Sequence, residues 1–349
     1  MTPTPLLDQV TMLVPTRNRQ GYLRNILEMY KDAGLKIIVA DTSPAPLPGV
    51  EAYSNVRYTH FVEKPFIDVL RFLLESASTE YIVMRAENRH ITVNGIARCM
   101  ALLAERPDCA LAHGAHVWVR QKRGRLESWP CYDGGGQTGF GGLPGLMQET
   151  AEERLLAAFD PMVSLYYAVE RRQNILDVLA QAGGIENLNA FEVLLTAIKA
   201  INGKCARVPV LFCAVQERAS ALKGARNLYD GFDTVATAPA YAEQYARVVN
   251  GIACHLRQKT GLDAARAEAL TRESLRRFLA RLGGKRPETG WQRLRRKAGR
   301  FAGSALRLAG VPDAAAARRM NAYLAGLENG KRDYEALLAI IRRGYSEGW

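Results

Sequence analysis

The segment VTMLVPTRNRQGYLRNILEMYKDAGLKIIVAD, Val10 to Asp41, reads as a strand, a basic loop, a helix, a second strand and an acid. Val10, Met12, Leu13 and Val14 make a short apolar run with the β-branched content of a buried strand. Tyr22, Leu23, Ile26, Leu27 and Tyr30 recur at helical spacing, and Gly34 provides the stop. Lys36 to Ala40 makes the second strand, which closes on Asp41. Two buried strands joined by one helix predict a right-handed βαβ unit, and ligands sit where such strands end. The residues delivered to that edge are Pro15, Thr16, Arg17, Asn18 and Arg19 after one strand and Asp41 after the next. The set suits a nucleotide: a carboxylate accepts from a base N–H or a ribose hydroxyl, and arginines face phosphate. A dinucleotide-binding Rossmann unit lacks support, because no G-x-G-x-x-G follows the first strand and Pro15 stands where its first glycine belongs.

Outward from this unit the alternation continues. Val56 to Phe61 reads as a third strand, Pro65 to Ser78 as a helix, Tyr81 to Met84 as a fourth strand, Thr92 to Arg106 as a helix and Leu111 to Val119 as a fifth strand. Such alternation predicts an α/β fold with an open, mostly parallel sheet flanked by helices. Residues 121–145 break the rhythm, with seven glycines from Gly134 to Gly145, and read as a glycine-rich loop: a lid, a binding loop or a disordered insertion. Ala151 to Phe159 and Arg171 to Ala182 read as helices flanking a short strand at Met162 to Ala168. Asn187 to Ile201 is a helix with Phe191, Leu194, Leu195, Ile198 and Ile201 on one face, and Val208 to Val215 is a last strand. Beyond Gln216 the pattern is helical. The expected division is 1–218 for the α/β domain and 219–349 for a helical C-terminal region.

The net charge of +12 divides along the same line. Residues 254–349 hold 21 Lys and Arg against 9 Asp and Glu, whereas the preceding residues hold 26 of each sign. Within the basic part, Trp291, Leu294, Ala298, Phe301, Ala305 and Leu308 recur at three- and four-residue steps, with Arg293, Arg296, Lys297, Arg300 and Arg307 largely elsewhere. A basic amphipathic helix of this kind suits an anionic membrane surface; a helix packed on its neighbours with a solvated basic face fits the same pattern. Nucleic-acid binding is the weakest reading of the tail, which has few aromatics and no recognisable module. The six cysteines show no C-x-x-C and read as reduced thiols. With no signal-like start and no apolar run of 18 residues, the expected location is cytoplasmic, peripheral on the inner membrane face if the basic helix binds lipid.

The run "VPTRNR" after the first strand, followed by Tyr22-Leu23, Leu27 and Tyr30 and then by "IIVADTS", resembles the start of GT-A glycosyltransferases of the family-2 type, in particular a bacterial and archaeal "VPTRNR" branch. The likeness runs in weaker form to about Arg218. It implies a GT-A fold that binds a nucleotide-diphospho-sugar donor and transfers the sugar, with inversion, to a glycan or lipid-linked acceptor.

The same resemblance implies a D-x-D motif after the fourth strand, whose carboxylates hold Mn²⁺ or Mg²⁺ on the donor diphosphate. The equivalent segment here runs from Arg85 through Glu87, Asn88 and Arg89 to His90, and Glu87 is its one acid. Three readings stand: Glu87 and Asn88 still hold a metal; Arg85 and Arg89 supply the positive charge themselves; or activity is lost. For the general base that takes the acceptor proton, the resemblance implies an acid near the start of a late helix, and Glu186 and Glu192 are the candidates, Glu192 matching the branch better. His113 and His116, three apart on a strand, should face opposite sides and so not share a metal. The opposing function classes are a catalytically inactive GT-A-like binding or scaffold protein and a basic-tailed nucleic-acid binder.

Overall fold

The computed structural model describes residues 6–122, 125–131, 145–160, 162, 164–216, 230–283 and 314–346. Its first half alternates β1 (Val10–Thr16), α1 (Gln20–Tyr30), β2 (Lys36–Asp41), β3 (Val56–His60), α2 (Phe66–Ser76), β4 (Tyr81–Met84), β5 (Arg89–Ile91), α3 (Val93–Glu105) and β6 (Cys109–Lys122). There follow β7 (Arg125–Pro130), α4 (Ala151–Ala158), β8 (Val169–Arg171), α5 (Arg172–Gln181), α6 (Leu188–Asn202) and β9 (Lys204–Gln216). The remaining described helices are α7 (Phe232–Thr237), α8 (Ala242–Thr260), α9 (Ala264–Gly283), α10 (Ala314–Ala325) and α11 (Gly330–Ser346).

The strands form one nine-stranded sheet in the order β3-β2-β1-β4-β8-β6-β9-β5, with β7 also bonded to β6. The expected α/β sheet flanked by helices is present. Ladders β3–β2, β2–β1, β1–β4 and β6–β9 are parallel, as helical crossovers require. The short β8 runs antiparallel to both β4 and β6, so β6 and β9 point the same way as β1. Every β1 residue but Pro15 is buried, which is why this strand reads as one continuous apolar run.

Helices cover both faces. Leu23, Ile26, Leu27 and Tyr30 of α1 pack with Ile96, Met100 and Leu103 of α3 against Val10, Met12 and Val14. On the other face Leu73 and Leu74 of α2, Phe191, Leu194, Leu195 and Ile198 of α6, and Val248, Ile252, Leu256 and Leu275 from α8 and α9 share one core with Leu13 and Met84. A third cluster joins Val117, Val119, Leu211 and Ala214 to Met320, Leu324, Leu337 and Ile341 of α10 and α11. The described helices beyond residue 230 therefore share hydrophobic cores with the α/β part. Side chains cap two helices that border the sheet edge: Thr92 Oγ1 accepts from Gly95 N–H (2.8 Å), and Asn187 Oδ1 from Ala190 N–H (2.9 Å).

Three local expectations are corrected. Within 121–145, residues 125–130 form β7, a strand whose alternating Arg125, Glu127 and Trp129 hide the hairpin. The strand expected at 162–168 is irregular over 164–168, and the ladder starts at Val169. Register shifts on either side of Ala115 break the period of β6, so the rings of His113 and His116 come within 6.0 Å of each other instead of facing apart.

Candidate functional site

The topology gathers the candidate residues at one edge. β1, β2 and β4 end there with Thr16, Asp41 and Met84, and β9 ends there with Gln216. Because β5 is antiparallel to β9, with Arg89 opposite Val215, it delivers Arg89 to the same place. β8 enters from this edge, with Val169 opposite Val83, so residues 164–168 lead in across it.

The loop after β1 is fixed by its own polar atoms. Asn18 adopts a left-handed backbone (φ 57°), which asparagine tolerates, and its N–H donates to Ser43 Oγ (2.8 Å). Thr16 is buried, its carbonyl accepting from Thr42 N–H (2.9 Å), while its Oγ1 has no partner among the described residues. Pro15 is half-buried at the strand end, and the side chains of Arg17 and Asn18 are exposed.

Asp41 lies in the interior, not on the open side of the edge. It is fully buried, one oxygen accepting from Ser43 N–H (2.8 Å) and the other from the Tyr58 hydroxyl (2.7 Å). The ribose or base contact expected of it is thus replaced by contacts that shape the loop carrying Ser43, which in turn holds Asn18. Tyr58 in consequence has its phenol pushed well above its usual range, first by burial and then by its bonding to Asp41.

Arg85 also turns inward. It is fully buried, with its guanidinium 5.0 Å from the Tyr30 ring centre and against Met12 Sδ (3.9 Å) and His90 Nδ1 (3.5 Å). Burial lowers its pKa, a cost offset in part by the nearby Tyr30, Cys213 and Glu87. His90, donating through Nε2 to Gln216 Oε1 (2.9 Å), is held neutral by burial and by Arg85, its pKa pushed down to about 3. Arg85 is therefore a fixed positive charge beneath the edge and not a surface contact for phosphate.

Glu87 is already engaged. Its Oε2 lies 3.0 Å from Arg19 Nη1, and its Oε1 accepts from Arg17 N–H (3.4 Å). Asn88 donates from its side chain to Gln216 O (2.9 Å) and accepts Gln216 N–H on its carbonyl (2.9 Å), tying this turn to β9. No trio of His, Cys, Asp and Glu suited to a metal ion exists among the described residues. Among the described residues the donor set around Glu87 therefore does not fit Mn²⁺ or Mg²⁺: a divalent ion there would face Arg19 and would find one described carboxylate to bind.

Arg89 and Glu192 complete the edge. The Arg89 guanidinium stands 4.6 Å from the Tyr167 ring centre and 5.8 Å from that of Trp118. Glu192, in the second turn of α6, accepts a hydrogen bond from Ser164 Oγ. Burial raises the Glu192 pKa above the ordinary carboxylate value, while Ser164, Arg89 and Lys199 act in the other direction. A carboxylate made more basic by partial desolvation, beside a cation and on a hydrogen-bonded tether, is suited to accept a proton. Glu186, by contrast, is exposed, and its N–H donates to Gln244 of α8 (3.0 Å). Of the two acids, Glu192 lies within electrostatic range of Arg89, whereas Glu186 sits on the exposed surface beside α8. Ser164 and Tyr167 escaped sequence reading, since their roles depend on pairings 28 residues away (Ser164 with Glu192) and across the sheet. Glu217 and Arg218, which follow β9 directly, lie outside the described residues, as does the basic segment 291–308.

No family model and no curated sequence matches the chain. Among solved structures, it is similar to S. aureus TarS at 15% identity and TM-score 0.48, over 77% of this chain and 43% of that one. It thus spans less than half the length of that TarS chain. It is similar also to the TarS 1–349 fragment in complex with UDP-GlcNAc, at 16% identity and TM-score 0.49, over 78% of this chain and 73% of that one. The corresponding UDP complex gives 15% identity and TM-score 0.46, with 78% and 72% covered.

Proposed function

We propose that this protein transfers a sugar from a nucleotide-diphospho-sugar to a hydroxyl of a glycan or lipid-linked acceptor, with inversion at the anomeric carbon. The observation that carries this reading is the Glu192 carboxylate, hydrogen-bonded by Ser164 and within electrostatic range of Arg89, near the edge that also presents Arg17 and Arg19. In this reading the arginines balance the diphosphate as it leaves. Glu192 takes the acceptor proton as the acceptor oxygen attacks and the bond from sugar to phosphate breaks. Because Glu87 is paired with Arg19, the positive charge comes from side chains and not from a divalent ion. Backbone and Ser43 contacts pre-order the loop that presents Arg17, so little ordering cost falls on donor binding.

The basic segment 291–308 is proposed to hold the enzyme at an anionic lipid surface, where a lipid-linked acceptor resides. Among the described residues no helix is long and apolar enough to cross a membrane. A second reading, a domain that binds nucleotide without turnover, is favoured by the same Arg19–Glu87 pair, which removes the one acid of the motif from chemistry. Thermal shift with UDP, GDP and CMP, with and without Mn²⁺, tests the shared premise. A nucleotide-specific shift supports both readings, and turnover then separates them; no shift with any nucleotide refutes both.

A further inference from the structure

A buried ion pair stands behind the proposed base. Lys199 and Glu170 are both fully buried, with Lys199 Nζ 2.7 Å from Glu170 Oε1. The same Nζ donates to the carbonyl of Leu165 (3.0 Å), the residue next to Ser164, whose hydroxyl bonds Glu192. Lys199 lies seven residues, two helical turns, after Glu192 on α6, so both project from one face toward the 164–168 segment. Thus one ammonium clamps three pieces together: α6, the strand β8 that carries Glu170, and the irregular segment that carries Ser164.

We propose that Lys199 is a positioning residue, which through Leu165 and Ser164 fixes the Glu192 carboxylate and, as a buried cation on the same helix face, holds down its proton affinity. The proposal rests on the reading of Glu192 as the base. Its physical ground is cost: a buried Lys–Glu pair contributes little net stability compared with apolar side chains of similar size, so stability alone gives no reason to place one here. Its geometry also matters. The second partner of the ammonium, the Leu165 carbonyl, anchors the backbone beside Ser164. Burial lowers the Lys199 pKa and raises that of Glu170, and each opposes the shift of the other. Among the described residues, the other groups that interact with Glu192 are Arg89 from β5, and Ser164 and Tyr166 from the segment before β8.

The test is the titration of Glu192 in the full chain by carboxyl-carbon NMR, its resonance assigned by loss in Glu192→Gln. No donor or acceptor is needed, so failure of the transferase reading leaves this measurement interpretable. The variant is Glu170→Gln with Lys199→Met, which removes both charges and leaves no uncompensated ion inside. A unit charge two turns away, about 10 Å, shifts a carboxyl by up to about one pH unit at the effective dielectric of a protein interior, and the simultaneous loss of the Glu170 charge cancels part of that. The Glu192 midpoint should rise by a few tenths of a unit in a variant that melts cooperatively and keeps the parent's amide spectrum. Lys199→Arg, keeping charge and donors, should hold the midpoint nearer the parent. A folded double variant with an unchanged Glu192 midpoint would overturn the proposal and leave the pair as packing. If the double variant does not fold, Glu170→Gln with Lys199→Gln, which removes both charges but keeps a donor for the Leu165 carbonyl, decides: folded, with the Glu192 midpoint unmoved, it likewise overturns the proposal.

Discussion

Arg19 Nη1 lies 3.0 Å from Glu87 Oε2, and this contact joins the loop after β1 to the turn after β4 across the sheet edge. Both groups are mostly buried, at 16% and 6% side-chain exposure, so the pair is not a solvent-screened surface bridge. A donor diphosphate would compete with Glu87 for Arg19, and the pair thus sets the character of the donor site.

The first prediction concerns metal. With its carboxylate on Arg19 and Arg89 two residues on, Glu87 should not be a metal ligand, and turnover should survive EDTA. Complete loss in EDTA with rescue by Mn²⁺ would instead show that Glu87 leaves Arg19 to bind the ion.

Arg19→Ala should weaken nucleoside diphosphates more than nucleosides. A charge-assisted bond is worth about 1.5–3 kcal/mol, so diphosphate affinity should fall by roughly ten- to a hundredfold, with a smaller salt dependence. Calorimetry with UDP against uridine at two ionic strengths measures this. Equal losses for both ligands would move the phosphates away from Arg19.

Asp41→Ala should act on both stability and binding. It strands the buried Ser43 N–H and removes one of two partners from the part-buried Tyr58 hydroxyl, at about 1–3 kcal/mol in all, so the melting temperature should drop by a few degrees. Loosening of Ser43 also frees Asn18, and nucleotide affinity should fall by about 1–3 kcal/mol. Parent-like nucleotide binding in a destabilised variant would separate Asp41 from the site.

These cases show what could be read from the chain. The βαβ unit was legible because β1 is buried on both faces and α1 has a clean apolar stripe. The helix of Glu192 was equally plain, for Phe191, Leu194 and Ile198 mark its face. β7 was hidden because an edge hairpin with alternating charges resembles a loop, and the side-by-side histidines were hidden because a bulge resets the strand period. Arg85 read as a surface cation since nothing local marks an arginine that turns under the sheet onto Tyr30. The Ser164–Glu192 bond joins residues with no shared local pattern. Hence the sequence located the edge, while the partners of its charges emerge only from the packed structure.

The rate should depend on pH in a direction set by Glu192. Its pKa is raised, and the base must be ionised, so activity should be absent at low pH and rise as pH passes through a midpoint above the ordinary carboxylate value of 4.5. A rising limb at or below that value would assign it to another group.

Binding to vesicles tests the basic segment. Full-length protein should co-sediment with phosphatidylglycerol vesicles at low salt and release as ionic strength rises, because surface attraction fades beyond about 8 Å at physiological salt. Protein that stays in the supernatant at low salt leaves 291–308 without a membrane role.

The most direct measurement is nucleotide release from a panel of UDP-, GDP-, dTDP- and CMP-sugars with glycan and lipid-linked acceptors, comparing the parent with Glu192→Gln. The expected result is saturable, acceptor-dependent release from one donor class, reduced about 10²- to 10⁴-fold in Glu192→Gln while that nucleotide still binds. An active parent whose Glu192→Gln variant turns over at the same rate would contradict Glu192 as the base, and a parent that binds no nucleotide at all would contradict the donor site itself.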